Sequence, residues 1–589
     1  MTFLLLRARE GGAARDDNAS PVVIGSGEEH DRKEMAVRSD DDILAEAYAA
    51  LKAGRADEAR RLFEAAVDRD GTAEAHEGLS WAALAQDDGP ATIAARHAAY
   101  RLYSAADEPV AAARMAMWLA KDHDDFRGEV AAANGWLARA RRLLEGQPTA
   151  PEHGWLPVLE CWGTDADERD PALIAERART AMDVARQCGD RDLEVLAIGF
   201  EGLALVDAGR VDDGMQRLDE AAAAVMGGEL DEELWSLVIF CLLIFACARV
   251  QDFARAAEWC ETMREAADRM RHVGSQGICR AHYGAVLTQS GDWGAAEAAL
   301  AESVRCFEAS WPPYRAEALA DLAELRRRQG RLQEAGDLLD QAAAHPRATL
   351  VRARCALDLG RREDAVELAD RYLRRFPPNS ALHRVGGLEA MVRAAVAAGR
   401  TGQAEAALAE LEDIAERVAT PAIRGAACAA RATLAAGTGR AVEARICFED
   451  AVDLYARAGM TFEAASARCD LAELHAVLGR EDVARAEAAA ARADFEALGA
   501  PHQLRRAAAL LARIERAAAG EAGAAPGVLT PRQAEVLRHV AAGRTNREIA
   551  AELGISEKTV DRHLGNILLR LEVPSRAAAA ALAERHGLI

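Results

Sequence analysis

One spacing recurs along most of this chain and constrains its fold more than any other feature. A glycine, usually followed by arginine, precedes a small residue by five positions, and a large apolar residue often follows the glycine by nine. Glycine permits a tight turn, the small residue lets two helices approach closely, and the large residue fills the gap between neighbours. The pattern therefore predicts stacked antiparallel helix pairs. The pairs are Gly54 with Ala59, Gly209 with Gly214, Gly291 with Ala296, Gly330 with Ala335, Gly360 with Ala365, Gly399 with Ala404, Gly439 with Ala444 and Gly479 with Ala484.

This pattern resembles the helical-pair array of tetratricopeptide proteins. The glycines at 330, 360, 399, 439 and 479 are spaced by thirty, thirty-nine or forty residues, whereas the tetratricopeptide period is about 34 residues. We therefore expect an irregular, tetratricopeptide-like array over residues 41–516. The glycine signal fades between Gly54 and Gly209, where amphipathic runs such as 111–119 and 130–144 still predict helices and indicate degenerate pairs.

A different pattern occupies the last sixty residues. Thr545 with Glu548 can form a capping box at the start of one helix, and Gly554 can end that helix. Ile555 is expected as a buried turn residue, and Ser556 can cap the next helix. That helix has the apolar face Val560, Leu564, Ile567 and Leu571 and the polar front Glu557, Lys558, Asp561, Arg562 and Gly565. A short helix, a tight turn and a longer helix with an exposed front are typical of a helix-turn-helix.

Two flanking helices complete a small domain. Thr530, Pro531 and Gln533 predict the start of an earlier helix, whose core face is Val536, Leu537 and Val540. Pro574 and Ser575 predict a fourth helix that runs from Ala577 to Arg585 and ends at Gly587. Residues 528–589 are therefore expected to form a four-helix domain, and the whole chain to be all-α.

The residues of this domain resemble the C-terminal DNA-binding domain of LuxR-type bacterial regulators. The resemblance covers about residues 525–589 and lies in Leu529-Thr530, Glu535-Val536-Leu537, Gly543, Asn546, Glu548-Ile549-Ala550, Leu553, Ile555-Ser556, Lys558-Thr559-Val560, His563 and Ile567. Two positions depart from it. Gln533 stands where the family usually has Glu. Asp561 stands where the family usually has Lys or Arg, and could accept a hydrogen bond from cytosine N4 or brace Arg562.

The resemblance and the position of the polar front together imply a set of DNA contacts. Lys558 and Thr559 would bind backbone phosphate at the positive end of the helix dipole, and Arg562 would reach a base edge. The other candidates are Thr545, Asn546, Arg547, Asp561 and His563. For each of them the alternative is a solvated helix surface.

Charge is divided unevenly along the chain. The net charge of the 589 residues is −23. Residues 528–589 hold nine Lys or Arg and seven Asp or Glu, a net of +2, so the remainder carries −25. An acidic body would repel DNA everywhere except at one small module.

Catalytic, cofactor and metal motifs are missing from the sequence. LuxR-type regulators with an ATPase domain need a glycine-rich loop ending in Gly-Lys-Ser/Thr. The four lysines, Lys33, Lys52, Lys121 and Lys558, never follow a glycine. His-Glu-x-x-His and Gly-x-Ser-x-Gly are also absent. The eleven cysteines include no Cys-x-x-Cys pair and are expected to be buried, reduced thiols. We therefore predict no enzyme, no cofactor and no metal.

Two features of the front half allow alternative interpretations. Residues 234–248 are almost wholly apolar, but a membrane span needs about 20 residues, so a buried helix is expected. All nine tryptophans lie between Trp81 and Trp311. They either line an effector pocket or fill gaps between imperfect repeats.

The segments outside these two units are short. Residues 1–38 are expected to be a disordered tail without a signal peptide, with Met35 as a second candidate start. Residues 517–527 are expected to form a flexible linker.

The sequence thus predicts a cytoplasmic, sequence-specific DNA-binding transcriptional regulator that does not enter the membrane. Its array would bind a protein, peptide or small effector, and it would act on double-stranded DNA as a homodimer. The alternative is a tetratricopeptide-type interaction scaffold with a vestigial DNA-binding module.

Overall fold

The chain folds into helices throughout the part that the structure describes. The computed structural model describes residues 40–162, 170–231, 233–270, 273–342, 345–522, 531–571, 573 and 575–586, and these residues contain no strand. The predicted tail at 1–38 lies outside them. The helices of the array are α1 Asp40–Lys52, α2 Ala56–Arg69, α3 Ala73–Leu84, α4 Gly89–Ala105, α5 Pro109–Arg127, α6 Val130–Leu144, α7 Glu152–Cys161, α8 Pro171–Cys188, α9 Arg191–Asp207, α10 Val211–Met226, α11 Glu233–Arg249, α12 Phe253–Met270, α13 Val273–Ser290, α14 Trp293–Ala309, α15 Arg315–Arg328, α16 Leu332–Gln341, α17 Pro346–Asp358, α18 Arg362–Leu373, α19 Ala381–Ala397, α20 Thr401–Val418, α21 Pro421–Gly437, α22 Ala441–Arg457, α23 Thr461–Val477, α24 Glu481–Leu498 and α25 Pro501–Ala522.

The repeated spacing has the structural role that the sequence predicts. All eight repeat glycines have positive φ, between 72° for Gly54 and 98° for Gly291, and each lies in the turn between two paired helices. The small residue five positions later is buried in every repeat, from Ala59 to Ala484. The large residues nine positions after the glycine, such as Phe63 and Leu300, are also buried. The array is therefore a tetratricopeptide-like solenoid of helix pairs.

Helices also fill the region where the glycine signal fades. Between Gly54 and Gly209 the structure has α2 to α9, with a positive φ at Asp87 and Asp107 as well as at glycines. The apolar run at 234–248 forms most of α11, and its described side chains are buried or half-buried. None of the described helices combines the length and the apolar character needed to cross a bilayer. None of the eleven cysteines forms a disulfide, and all of them are buried or half-buried.

The array curls so that distant repeats touch. Ser310 Oγ donates to Asp87 Oδ1 at 2.7 Å, and Tyr314 Oη donates to Asp125 Oδ1 at 2.9 Å. Further along, Arg328 Nη2 donates to Glu463 Oε1 at 2.7 Å. These contacts join residues that are 223, 189 and 135 positions apart in the sequence. The front and back of the superhelix are thereby tied together around an interior space.

Four helices form the C-terminal domain: α26 Pro531–Ala541, α27 Asn546–Leu553, α28 Glu557–Arg570 and α29 Arg576–His586. Their buried apolar residues form a core that consists only of residues of this domain. The first part of the predicted linker, 517–522, is helical and belongs to α25, so the flexible segment cannot begin at residue 517. The rest of it, 523–527, lies outside the described residues, as do Thr530, Pro574 and Gly587.

One glycine of the repeat predicts a measurable cost in stability. A Cβ on Gly214 would lie 2.6 Å from Gly202 O and 2.8 Å from the backbone N of Val206. We expect Gly214→Ala to destabilise the array by about 1–3 kcal/mol, because α9 and α10 would have to separate. A Cβ on Gly336, inside α16, would have nothing within 4 Å, so Gly336→Ala should stabilise by up to about 1 kcal/mol.

Thermal unfolding of the full chain, followed by far-UV circular dichroism, compares the two variants. Equal midpoints for Gly214→Ala and Gly336→Ala would contradict the close approach of α9 and α10.

Candidate nucleic-acid interface

Local hydrogen bonds fix the two helices of the helix-turn-helix. Thr545 Oγ1 accepts from the Glu548 N–H at 3.4 Å, and the Thr545 N–H donates to Glu548 Oε2 at 2.7 Å, which completes the capping box. The Thr545 N–H and hydroxyl both donate to this carboxylate, which lowers the pKa of Glu548. Gly554 ends α27 in the left-handed conformation at φ 64°. The capping box and the glycine that ends α27 were both predicted from the sequence.

Ser556 caps α28 as expected. Its hydroxyl accepts from the Thr559 N–H at 3.1 Å, and the two hydroxyls lie 2.7 Å apart. Ile555 is half-buried against the core of the domain, less buried than predicted.

The two faces of α28 are separated as the sequence predicts. Val560, Ile567 and Leu571 are buried with Val536, Leu537 and Val540 of α26, and Leu564 is half-buried against them. On the other face, Glu557, Lys558, Asp561, Arg562 and Gly565 are all exposed. The exposed face belongs to a helix of 14 residues, about 21 Å long. Such a helix fits a major groove that is about 12 Å wide.

The candidate DNA contacts differ in how accessible they are. Thr545, Arg547, Lys558, Asp561 and Arg562 are exposed, whereas Asn546, Thr559 and His563 are half-buried. The Thr545 N–H and hydroxyl are engaged in the capping box. Among the described residues, Lys558 and Arg562 form no ion pair. Both cations therefore extend from the front of α28 into solvent.

Asn546 joins three helices. Its amide nitrogen Nδ2 donates to Asp561 Oδ1 on α28, and its oxygen Oδ1 accepts from Arg576 Nη1 of α29 at 2.7 Å. Arg576 Nη2 also donates to the backbone oxygen of Arg544. Asn546 itself is the first residue of α27. The side chain is thus held between neighbours on both sides.

This arrangement changes the interpretation of Asp561. The sequence suggested that Asp561 either reads cytosine or braces Arg562. In the described part of the domain Asp561 accepts from Asn546 and makes no ion pair with Arg562. The Asp561 carboxylate therefore contacts the start of α27, and its role on DNA stays a prediction.

Two residues of the candidate interface were not predicted from the sequence. Arg576 lies thirty residues beyond Asn546, and no local spacing connects them. Asn566 is exposed on α28 and follows Arg562 by four residues, which places it on the same face of the helix. Its spacing could have identified it as part of the polar front.

Comparison with known proteins agrees with this geometry. Residues 527–583 match the family described as bacterial regulatory proteins, luxR family. The chain is 50% identical over 60 residues to the uncharacterized transcriptional regulatory protein YhcZ of Bacillus subtilis (strain 168). The aligned residues cover 10% of this chain and 28% of YhcZ. It is 48% identical over 61 residues to the transcriptional regulatory protein LiaR of the same strain, 10% of this chain and 29% of LiaR. It is 49% identical over 55 residues to the nitrate/nitrite response regulator protein NarP of Escherichia coli (strain K12), 9% of this chain and 26% of NarP.

These matches span under a third of the relatives' length. Among solved structures, the chain is similar to a Rap protein complexed with competence and sporulation factor, with a TM-score of 0.45 and 13% identity over 64% of this chain and 98% of that one. It is also similar to a chain of the APC/C hetero-tetramer Cut9-Hcn1, with a TM-score of 0.38 and 13% identity over 82% of this chain and 98% of that one. The C-terminal domain of this chain is a LuxR-type helix-turn-helix domain, attached to a tetratricopeptide-like array.

Proposed function

We propose that this chain is a cytoplasmic, sequence-specific DNA-binding transcriptional regulator whose helical array binds a partner or effector. The observation that carries the proposal is the exposed front of α28 on a domain with its own core. The alternative, an interaction scaffold with a vestigial DNA module, is less favoured because the helix caps, the core and the polar front are all intact.

On DNA, we propose different roles for the side chains of the front. Lys558 and Thr559 lie in the first turn of α28, where helix N–H groups and a cation favour phosphate. Arg562 is one turn further on and is exposed, so it is our candidate for reading a base edge. Arg547 and Thr545, at the start of α27, are candidates for backbone contacts. His563 is half-buried, so we propose that it contributes less to the contact with DNA than the exposed side chains do.

We assign Asn546 and Asp561 to positioning rather than to reading bases. The contacts of Asn546 with Asp561 and Arg576 hold α27 and α28 at a fixed angle. A carboxylate on the front of α28 repels phosphate, so the interface relies on base-edge contacts and a few cations. Glu557 adds a second negative charge to the same front.

We further propose that two copies bind DNA together. Dimers of this motif contact half-sites about ten base pairs apart. The alanines of α29 are only partly available for a contact between copies, because Ala579 and Ala583 pack into the core of their own domain. Ala577 is exposed, while Ala578 and Ala580 are half-buried.

The isolated fragment 525–589 separates the regulator from the scaffold. We expect it to select a preferred sequence from a random duplex library and to shift that duplex in a gel at a lower concentration than random DNA. The intact front of α28 is the reason for this expectation. A fragment that folds by circular dichroism but enriches no sequence would support the scaffold.

Arg562 and Lys558 should respond differently to removal of their side chains. Arg562→Ala should reduce the preference for the selected duplex over random DNA by about 1–3 kcal/mol, because a base contact is lost. Lys558→Ala should weaken binding to every duplex and reduce the salt slope by about 1. Fluorescence anisotropy of both duplexes over a range of salt concentrations measures both effects. Equal losses on selected and random DNA for both variants would refute the division of roles.

Asp561→Asn separates the negative charge of this side chain from its hydrogen bond with Asn546. The asparagine can still accept from Asn546, but the negative charge on the front is gone. We expect about fivefold tighter binding to every duplex at low salt, equivalent to ~1 kcal/mol, and a smaller gain at high salt. Anisotropy titrations at two salt concentrations measure the change. A loss of affinity confined to the selected duplex would mean that Asp561 reads a base.

A further inference from the structure

The front of the array encloses a large cavity. Its volume is about 1220 Å³, compared with roughly 300–1,000 Å³ for typical small-molecule sites. The walls come from α1 to α5, α9, α11, α13 and α15, among others. The exposed lining residues are Ala85 and six residues of the segment from Lys52 to Arg61, which includes the α1–α2 turn. The cavity therefore meets solvent at the N-terminal end of the array.

Aromatic side chains form much of the wall. Five of the nine tryptophans line the cavity: Trp81, Trp118, Trp162, Trp235 and Trp311. Trp118 stacks on Trp235 with ring centroids 6.1 Å apart, and Trp81 meets Trp118 edge-on at 5.0 Å. Trp81, Trp162 and Trp311 are only half-buried. Apolar ring surface in a space this large gains dispersion and hydrophobic energy if a ligand covers it.

The buried charges of the wall are paired with one another. Arg96 Nη1 donates to Asp122 Oδ1 at 2.5 Å, and the guanidinium lies over the Trp81 ring at 4.7 Å. Lys121 pairs with Asp125, which also accepts from Tyr314. Both pairs line the cavity, and their charges cancel locally.

The two other inner carboxylates also have cationic neighbours. Asp207 lies 3.6 Å from Arg249, and Glu317 lies 3.6 Å from Arg347. The inner wall, as far as the structure describes it, therefore offers rings and matched charges, and no unmatched charge that would hold an ionic group.

We infer that this cavity is a binding site for an uncharged, ring-containing small molecule. The ligand would stack on the half-buried rings, with Trp162 as one platform; Lys121 already lies over that ring, 4.5 Å from its centroid. A charged group placed against the inner wall would lose its hydration without gaining a counter-charge, because the lining cations Lys52 and Arg61 lie at the exposed mouth of the cavity. The inference rests on the proposed function only in that this ligand would be the effector, since the binding itself does not require DNA.

Two probes with the same rings test the site in the full-length chain. N-phenyl-1-naphthylamine is uncharged, and 1-anilinonaphthalene-8-sulfonate adds a sulfonate to the same framework. We expect the uncharged probe to bind saturably at one site per chain, with gain of probe emission and loss of tryptophan emission by energy transfer. The sulfonate should bind at least about tenfold more weakly, because its charge must be buried. Equal or tighter binding of the sulfonate would overturn the uncharged class.

Matched variants locate the site. Trp162→Leu should reduce the affinity for the uncharged probe about fivefold, because it removes one ring on which the probe stacks. Trp136→Leu is the control, because Trp136 packs on Tyr100 and His97 and does not line the cavity. Its affinity should stay within about twofold of the parent chain. Leu203→Trp adds a larger side chain to the cavity wall and should also weaken binding of the uncharged probe. This second variant tests the site even if Trp162→Leu does not fold.

Absence of saturable binding would overturn the site, and so would equal affinities in the parent chain, Trp162→Leu and Leu203→Trp. Probe binding that leaves affinity for the selected duplex unchanged would uphold the cavity and refute its role as the effector site. Duplex selection without probe binding would uphold the regulator and refute the cavity.

Discussion

The close approach of paired helices at buried small residues is the interaction on which the array depends. In each of the eight repeats that have this spacing, a positive-φ glycine turns the chain, and the small residue five positions later is buried. Gly202 and Gly214 approach each other so closely that neither position has room for a Cβ. This packing brings α9 and α10 together, and α9 contributes Phe200, Leu203 and Asp207 to the wall of the cavity.

The DNA-binding domain is held by polar contacts as well as by its core. Asn546, Asp561 and Arg576 connect α27, α28 and α29, so the exposed front is presented at a fixed orientation. Preorganisation of this kind favours specificity, because little ordering remains to be done on binding. The front itself is nearly neutral, with Lys558 and Arg562 beside Glu557 and Asp561. An acidic body and a neutral front together suit selective contact with DNA better than general attraction.

Most of the fold could be predicted because it is encoded locally. The glycine turns, the capping box of Thr545 and Glu548, and the cap by Ser556 all depend on residues within a few positions of each other. The repeats between Gly54 and Gly209 were indistinct because Asp87 and Asp107 adopt positive φ where glycine serves elsewhere. The end of α25 was misjudged because alanine-rich sequence is favourable for helix as well as common in linkers. The contacts of Arg576 and the shape of the cavity depend on residues far apart in the sequence, so no spacing revealed them.

The contacts that close the superhelix alter how the array should fold and tolerate rearrangement. In an open solenoid each repeat touches only its neighbours, and stability is close to a sum of local terms. Here Asp87 bonds to Ser310, Asp125 to Tyr314 and Arg328 to Glu463. Contacts between residues so far apart in the sequence raise the contact order. We therefore expect the individual helix pairs to form rapidly and the contacts that close the superhelix to form later. Deletion or duplication of a repeat that lies between two such partners would move them out of register, so this array should tolerate a change in repeat number less well than an open solenoid does.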